Sequence, residues 1–143
     1  MAIFFRTSID ENSAFERIDD ALSSGQSFDG YFSIHGDLTF LRPSDMRADE
    51  FRQQITDALR SVWETSQFWT IYVCDGQNGL TVNEITAAAV RLSANYCGAV
   101  IVTLSILGRA SSSSDLELIF LCFSQESERR NFRARYEGKF VSK

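Results

Sequence analysis

The residues best suited to acid–base chemistry come together once in this 143-residue chain, in the run His35-Gly36-Asp37. An imidazole beside a carboxylate is a pairing that general base catalysis uses. Nothing in the sequence completes such a site, because His35 is the only histidine and no Gly-x-Ser-x-Gly elbow is present. The run therefore predicts a polar hairpin turn, and a small enzyme or ligand-binding pocket near His35, Asp37 or Cys74 remains an alternative.

The three cysteines offer a second kind of reactive group. Cys74, Cys97 and Cys122 are widely spaced in or beside apolar segments and have no histidine nearby. Metal sites usually draw on closely spaced Cys or His pairs, and the chain also lacks the glycine patterns of nucleotide-binding loops. We expect reduced structural thiols, no metal and no cofactor, and a cytoplasmic protein, since residues 1–6 do not resemble a secretion signal.

Charge is distributed unevenly along the chain, whose formal net charge is −5. Residues 10–50 contain ten acids and three bases, whereas residues 129–143 contain six bases and one acid. A field of one sign accelerates encounter with a partner of the other sign. The sequence therefore predicts a charge dipole, with the acidic half able to meet a basic macromolecule.

The function that this pattern favours is non-catalytic protein binding. We expect an acidic inhibitor, of the immunity-protein or phage counter-defence type, that occludes a basic surface of a partner protein. A structural or assembly subunit is a further alternative. The acids predicted to contact the partner are Asp19, Asp20, Asp29, Asp37, Asp45, Asp49 and Glu50.

The basic C-terminal segment could attract phosphate, because arginine presents a planar fork of donors. The acidic net charge argues against nucleic acid as the partner, and Glu126 and Glu128 lie within helical reach of Arg129, Arg130 and Arg133. We expect ion pairs within one helix instead. No apolar run is long enough to span a membrane.

The elements that must position these residues follow from hydrophobic spacing and turn signals. The pattern predicts the order β-α-β-β-α-β-α-β-β-α, with Ser13 and Glu16 forming a capping box at the first helix. The predicted spans are strand 2–7, helix 13–24, a hairpin over 31–41, a helix opened by residues 43–45, strand 68–74, helix 81–97, strands 99–107 and 116–123, and a last helix that includes Phe132, Tyr136 and Phe140.

This order predicts an α+β fold in which four helices pack on a mainly antiparallel sheet, as one domain over residues 1–143. Residues 2–66 and 69–140 form a weak pseudo-repeat of two β-α-β-β-α units. The nearly continuous apolar strand 68–74 is expected at the centre of the sheet. Strands 99–107 and 116–123 are apolar on both faces, which is typical of a sheet centre or of a homodimer interface.

Aromatic residues cluster at the junction of the second helix and the following strand. Trp63, Phe68 and Trp69 are of the kind that anchors protein interfaces. Their spacing matches the buried stripe of a helix and a strand, so the sequence favours a place in the core.

Overall fold

The computed structural model describes residues 2–4, 8–23, 28–34, 37–41, 46–73, 100–108, 116–137 and 140–142. In chain order the elements are β1 (Ala2–Phe4), α1 (Glu11–Leu22), β2 (Phe28–Ile34), β3 (Asp37–Leu41), α2 (Ala48–Trp63), β4 (Phe68–Val73), β5 (Val100–Gly108), β6 (Leu116–Phe123), α3 (Glu126–Tyr136) and β7 (Phe140–Ser142). The predicted α+β class is confirmed. The helix predicted over residues 81–97 lies outside the described residues, so three of the four expected helices are seen.

Five strands form one antiparallel sheet in the order β3-β2-β5-β6-β4. The two strands predicted to be apolar on both faces, β5 and β6, lie at its centre, as expected for strands that must be covered from both sides. A separate pair joins β1 to β7. The sheet combines strands from both predicted half-repeats, because β2 pairs directly with β5.

The central position predicted for strand 68–74 is wrong, since β4 occupies an edge of the sheet. Among the described residues, its outer side is met by the segment that precedes α1, where the Ile9 N–H donates to the Ile71 carbonyl at 2.9 Å. The strand is apolar because both of its faces are covered, by the core on one side and α3 on the other. The apolar composition of a strand thus indicates that its two faces are covered. It does not indicate how many neighbouring strands pair with it.

The core lies between α1, α2 and one face of the sheet, here called the helix side. Every second residue of β5 and β6 points to this side, and the matching apolar stripes of the two helices meet them. The buried residues of this cluster are Ala14, Ile18, Leu22, Phe28, Phe32, Phe51, Ile55, Leu59, Val62, Ile71, Val102, Leu104, Ile106, Leu116, Leu118, Phe120 and Cys122. The opposite face, called the far side, is covered over β4 and β6 by α3, with Phe123 and Phe132 at 5.7 Å between ring centroids.

Helix α1 begins two residues before the predicted start because Asp10, and not Ser13, is its N-cap. The Asp10 carboxylate accepts a hydrogen bond from the Ser13 N–H at 2.6 Å. This bond holds the pKa of Asp10 below its ordinary value. A carboxylate at this position also complements the helix dipole.

The other helix limits also differ from the sequence prediction. Helix α2 begins at Ala48 rather than at residues 43–45, and Phe140 belongs to β7, not to the last helix. Among the described residues no helix has the length and hydropathy needed to cross a bilayer.

Close contact between the sheet and α2 depends on one glycine. A Cβ atom at Gly30 would lie 2.8 Å from Cε1 and 3.0 Å from Cε2 of Phe51, which is fully buried. Phe51 in turn packs on Phe28, with ring centroids 6.0 Å apart. The absence of a side chain at position 30 therefore admits the Phe51 ring to the core.

The substitution Gly30→Ala is expected to lower the free energy of unfolding by about 1–3 kcal/mol, the usual cost of overpacking a core. Chemical denaturation measures this value. In the double variant Gly30→Ala/Phe51→Leu the loss should be smaller than the sum of the two single losses, because the smaller side chain admits the added methyl group. An unchanged unfolding midpoint for Gly30→Ala would contradict this account of the contact.

The substitution Asp10→Ala is expected to lower the melting temperature at neutral pH, because it removes the cap of α1. Asp10→Asn keeps an acceptor and serves as the matched control. Since the pKa of Asp10 is depressed on folding, its ionic contribution is present above the unfolded value of about 3.9 and is lost as the pH falls through the folded value. Thermal melts between pH 2 and 7 should show a larger acid loss in the wild type than in Asp10→Asn, and the difference is the contribution of Asp10.

Candidate functional site

Helices α1 and α2 form an outer layer whose solvent side is acidic. Together they carry seven acids and three arginines, a net charge of −4, and all seven acids are exposed. Helix α3, on the far side of the sheet, carries two acids and four arginines, a net charge of +2. We call the first surface the acidic face; its acids are Glu11, Glu16, Asp19, Asp20, Asp49, Glu50 and Asp57.

The acidic face contains four of the seven acids that the sequence predicted for partner contact, namely Asp19, Asp20, Asp49 and Glu50. Asp29 lies in β2 between two residues that face the helix side, so it belongs to the far side of the sheet. Asp37 is the first residue of β3, and Asp45 lies outside the described residues. The hairpin acids are thus not shown beside the helical ones.

Two acids of this face form an ion pair within the chain, and a third, Asp57, accepts a hydrogen bond from the Gln53 amide at 2.9 Å. Arg52 Nε donates to Asp19 Oδ1 at 2.5 Å and so joins α2 to α1. The Arg47 guanidinium hydrogen-bonds Asp49, which lowers the pKa of that carboxyl and raises the pKa of the arginine. Asp20 and Glu50 make no ion pair within the described chain, so their charge is available to a partner.

A groove opens at one end of the acidic face, where α1, the end of α2 and the start of β4 meet. It consists of two adjoining cavities of about 370 and 450 Å³. Glu11, Trp63 and Trp69 line both cavities. We call this feature the tryptophan groove; the first cavity adds Phe15, Arg52, Thr56, Leu59 and Arg60, and the second adds residues 8–10, Gln67, Thr70, Ile71, Arg129 and Arg133.

The two tryptophans have different environments. Trp69 is held firmly, because its Nε1–H donates to the Ser66 carbonyl at 2.7 Å and its ring meets Phe120 at 5.6 Å. Trp63 packs edge to face on Trp69, with centroids 5.0 Å apart and planes at 80°, and it remains 41% exposed. The core placement that the sequence favoured is therefore wrong for Trp63.

The helical register of α2 contains the signal for this exposure. The buried stripe uses Phe51, Ile55, Leu59 and Val62, and Val62 takes the last inward position before the helix ends. Trp63 is the next residue, about 100° further around the axis. Counting from Val62 would have placed the indole at the rim of the core.

Arginine side chains lie over aromatic rings on both flanks of the groove. The Arg52 guanidinium carbon is 4.6 Å from the Phe15 ring centroid, and that of Arg129 is 5.9 Å from the Phe68 centroid. Arg129 Nη2 also donates to Glu126 Oε1 at 2.6 Å, which confirms one predicted ion pair of the basic helix. Arg133 instead donates to Glu137 Oε2 at 2.7 Å.

Glu137 connects the segment before α1 to the end of α3. Its other carboxylate oxygen accepts the Ser8 N–H at 2.6 Å, and its side chain is only 13% exposed. The segment that lines the second cavity is therefore tied to the end of α3. The same carboxylate lies near the buried Tyr72, whose pKa is raised mainly by burial.

Most of the candidate catalytic residues lie outside the part of the chain that the structure describes. His35 and two of the three cysteines lie outside the described residues. Cys122 is buried, and burial raises the pKa of its thiol, as expected of an inert structural cysteine. The described residues contain no group of three potential metal ligands. Comparisons with protein-family models, with curated proteins and with solved structures found no match.

The substitution Glu137→Ala is expected to lower the free energy of unfolding by about 1–3 kcal/mol, because it leaves the Ser8 N–H and Arg133 without their acceptor. Glu137→Gln keeps an acceptor and should lose less. Glu128→Ala on the same helix is the matched control, since its only described hydrogen bond, from Ser124, is 3.3 Å long. Equal unfolding midpoints for the two alanine variants in urea would show that Glu137 does not secure residue 8.

Proposed function

We propose that this protein is a non-catalytic binding domain that docks through its acidic face on a basic surface of another protein and occludes it, in the manner of a dedicated inhibitor. The separation of charge between the two faces supports this proposal most directly. Seven exposed acids share the layer formed by α1 and α2, while helix α3 packs on the far side of the sheet and carries four arginines. Two of these, Arg129 and Arg133, reach the β4 edge of the sheet beside the groove.

The separation of acidic and basic residues between the two faces orients an approaching partner. A basic surface is attracted to α1 and α2 and is repelled from α3, so encounter is oriented before contact. At physiological ionic strength such a field reaches about 8 Å, which favours contact with the exposed carboxylates over long-range capture. Occlusion then requires only that the face be wide enough to cover the partner's site.

Ion pairs inside the face help to hold this surface in shape. The Arg52 guanidinium links Asp19 to α2 and is itself held by Thr56 Oγ1 and the Phe15 ring. A surface whose charges are already placed loses less side-chain entropy on binding than a flexible one. This internal scaffold leaves Glu11, Glu16, Asp20 and Glu50 to contact the partner.

The assembly alternative loses the support that the sequence offered. It rested on β5 and β6 being apolar on both faces, and those strands are buried within this chain at the centre of its own sheet. A second copy is not needed to cover them. Homodimer formation remains a prediction from the sequence alone.

Charge reversal on the acidic face should weaken partner binding. We expect Asp20→Lys and Glu50→Lys each to slow association several-fold and to flatten its dependence on salt, because each removes a charge that attracts the partner. The measurement is affinity capture from the native cell at low and moderate salt, followed by association kinetics on the captured protein.

Glu128→Lys on α3 changes the net charge by the same amount on the opposite face and is the matched control. It should leave capture and kinetics close to those of the wild type. Retention of the same protein by Asp20→Lys, Glu50→Lys and Glu128→Lys alike would refute docking through α1 and α2. Capture of a partner that is itself acidic would refute it equally.

A further inference from the structure

The groove is flanked by two copies of one arrangement, in which a guanidinium lies over an aromatic ring and is held by a carboxylate. On one flank Arg52 lies over Phe15 and pairs with Asp19. On the other flank Arg129 lies over Phe68 and pairs with Glu126. In each unit the guanidinium lies over the negative face of an aromatic ring and pairs with a carboxylate. A planar guanidinium is well suited to both of these partners.

Between these flanks, Trp63 supplies an aromatic ring and Glu11 supplies a carboxylate, but no guanidinium of the described chain lies over that ring or pairs with that carboxylate. Trp63 is 41% exposed, and among the described residues no arginine or lysine lies over its ring. The Glu11 carboxylate is exposed and makes no hydrogen bond or ion pair with the described chain. Both residues line both cavities.

The tryptophan pair offers aromatic surface to a flat cation at this position. Trp69 fixes Trp63 edge to face, so the two indoles present perpendicular walls at the same point of the groove. Tryptophan is the strongest cation–π partner among side chains. The second cavity is also lined by the Asp10 carboxylate and by Arg129 and Arg133. Both arginines are paired with carboxylates of their own, Glu126 and Glu137.

We propose that the tryptophan groove receives an arginine side chain of the basic partner, with its guanidinium against Trp63 and paired with Glu11. This inference rests on the proposed function and identifies the contact that anchors it. Tryptophan and arginine are among the residue types that most often dominate the energy of an interface.

Arg60 allows a test of whether the bound group is positively charged. It lines the first cavity three residues before Trp63 and has no ion pair within the described chain. Its charge must oppose an incoming guanidinium. Removing this charge should therefore strengthen binding, whereas a merely structural groove would respond little to it.

The experiment titrates the isolated protein with N-acetyl-argininamide and follows the two indole N–H signals by NMR. The chain has only two tryptophans, so the variant Trp63→Leu assigns both signals. N-acetyl-norleucinamide is the neutral control of similar length, and sodium chloride holds the ionic strength constant. We expect a saturable shift of the Trp63 signal with the arginine compound and a far smaller one with the control.

Three variants then separate the contributions of the aromatic ring, the carboxylate and the opposing charge. Binding to each variant is followed through the NMR signal of the Gln67 backbone amide. Trp63→Leu keeps an apolar group without the ring quadrupole and should weaken binding about two- to fivefold. Glu11→Gln should weaken it by up to about fivefold. Arg60→Gln should strengthen it by about twofold, by removing a like charge.

Equal shifts from the arginine and norleucine compounds would overturn the inference, as would weaker binding by Arg60→Gln. This result is distinct from failure of the proposed function, because the titration needs no partner. If the groove ignores arginine while Asp20→Lys still loses the captured protein, docking on the acidic face stands and only the anchor is refuted.

Discussion

The rest of the structure depends on covering the central strands β5 and β6. Both strands carry large apolar residues on their two faces, so each face of the sheet has to be closed by another layer. Helices α1 and α2 close one face and α3 closes part of the other. Because the apolar stripes of these helices point toward the sheet, their charged residues lie on the solvent side. The net charge of each helical layer is therefore displayed on one face of the molecule.

The groove follows from the same packing at the edge of the sheet. Within the described part of the chain, no strand pairs with the outer side of β4, and the segment before α1 contacts it at Ile9. The space beside Trp69 is therefore left between the end of α2 and the start of α1. Trp63, as the last residue of α2, lies at its rim. An aromatic residue at an open edge beside acidic helix turns is a feature that binding can use.

Several charged groups act in the fold as well as at the surface. Asp10 caps α1, the Asp19 pair with Arg52 joins the two outer helices, and Glu137 ties residue 8 to α3. These bonds differ in exposure, and the least exposed carboxylate, Glu137, is the one whose loss leaves polar groups without partners. The sequence alone does not distinguish acids that are paired within the fold from acids whose charge is exposed to solvent. The structure separates those that hold the fold from those that face solvent.

The sequence by itself determined the type of most described elements, the apolar stripes of α1 and α2, the apolar character of both faces of β5 and β6 and the presence of ion pairs within the last helix, because these depend on local spacing and on which side of an element is apolar. Only the tertiary structure decided that β4 is an edge strand, that Asp29 points away from the acidic helices and that Trp63 reaches the surface, because each depends on which distant segments pack together. Strand pairing and groove shape are set by contacts between residues far apart in the chain. A periodic pattern along one element does not contain that information.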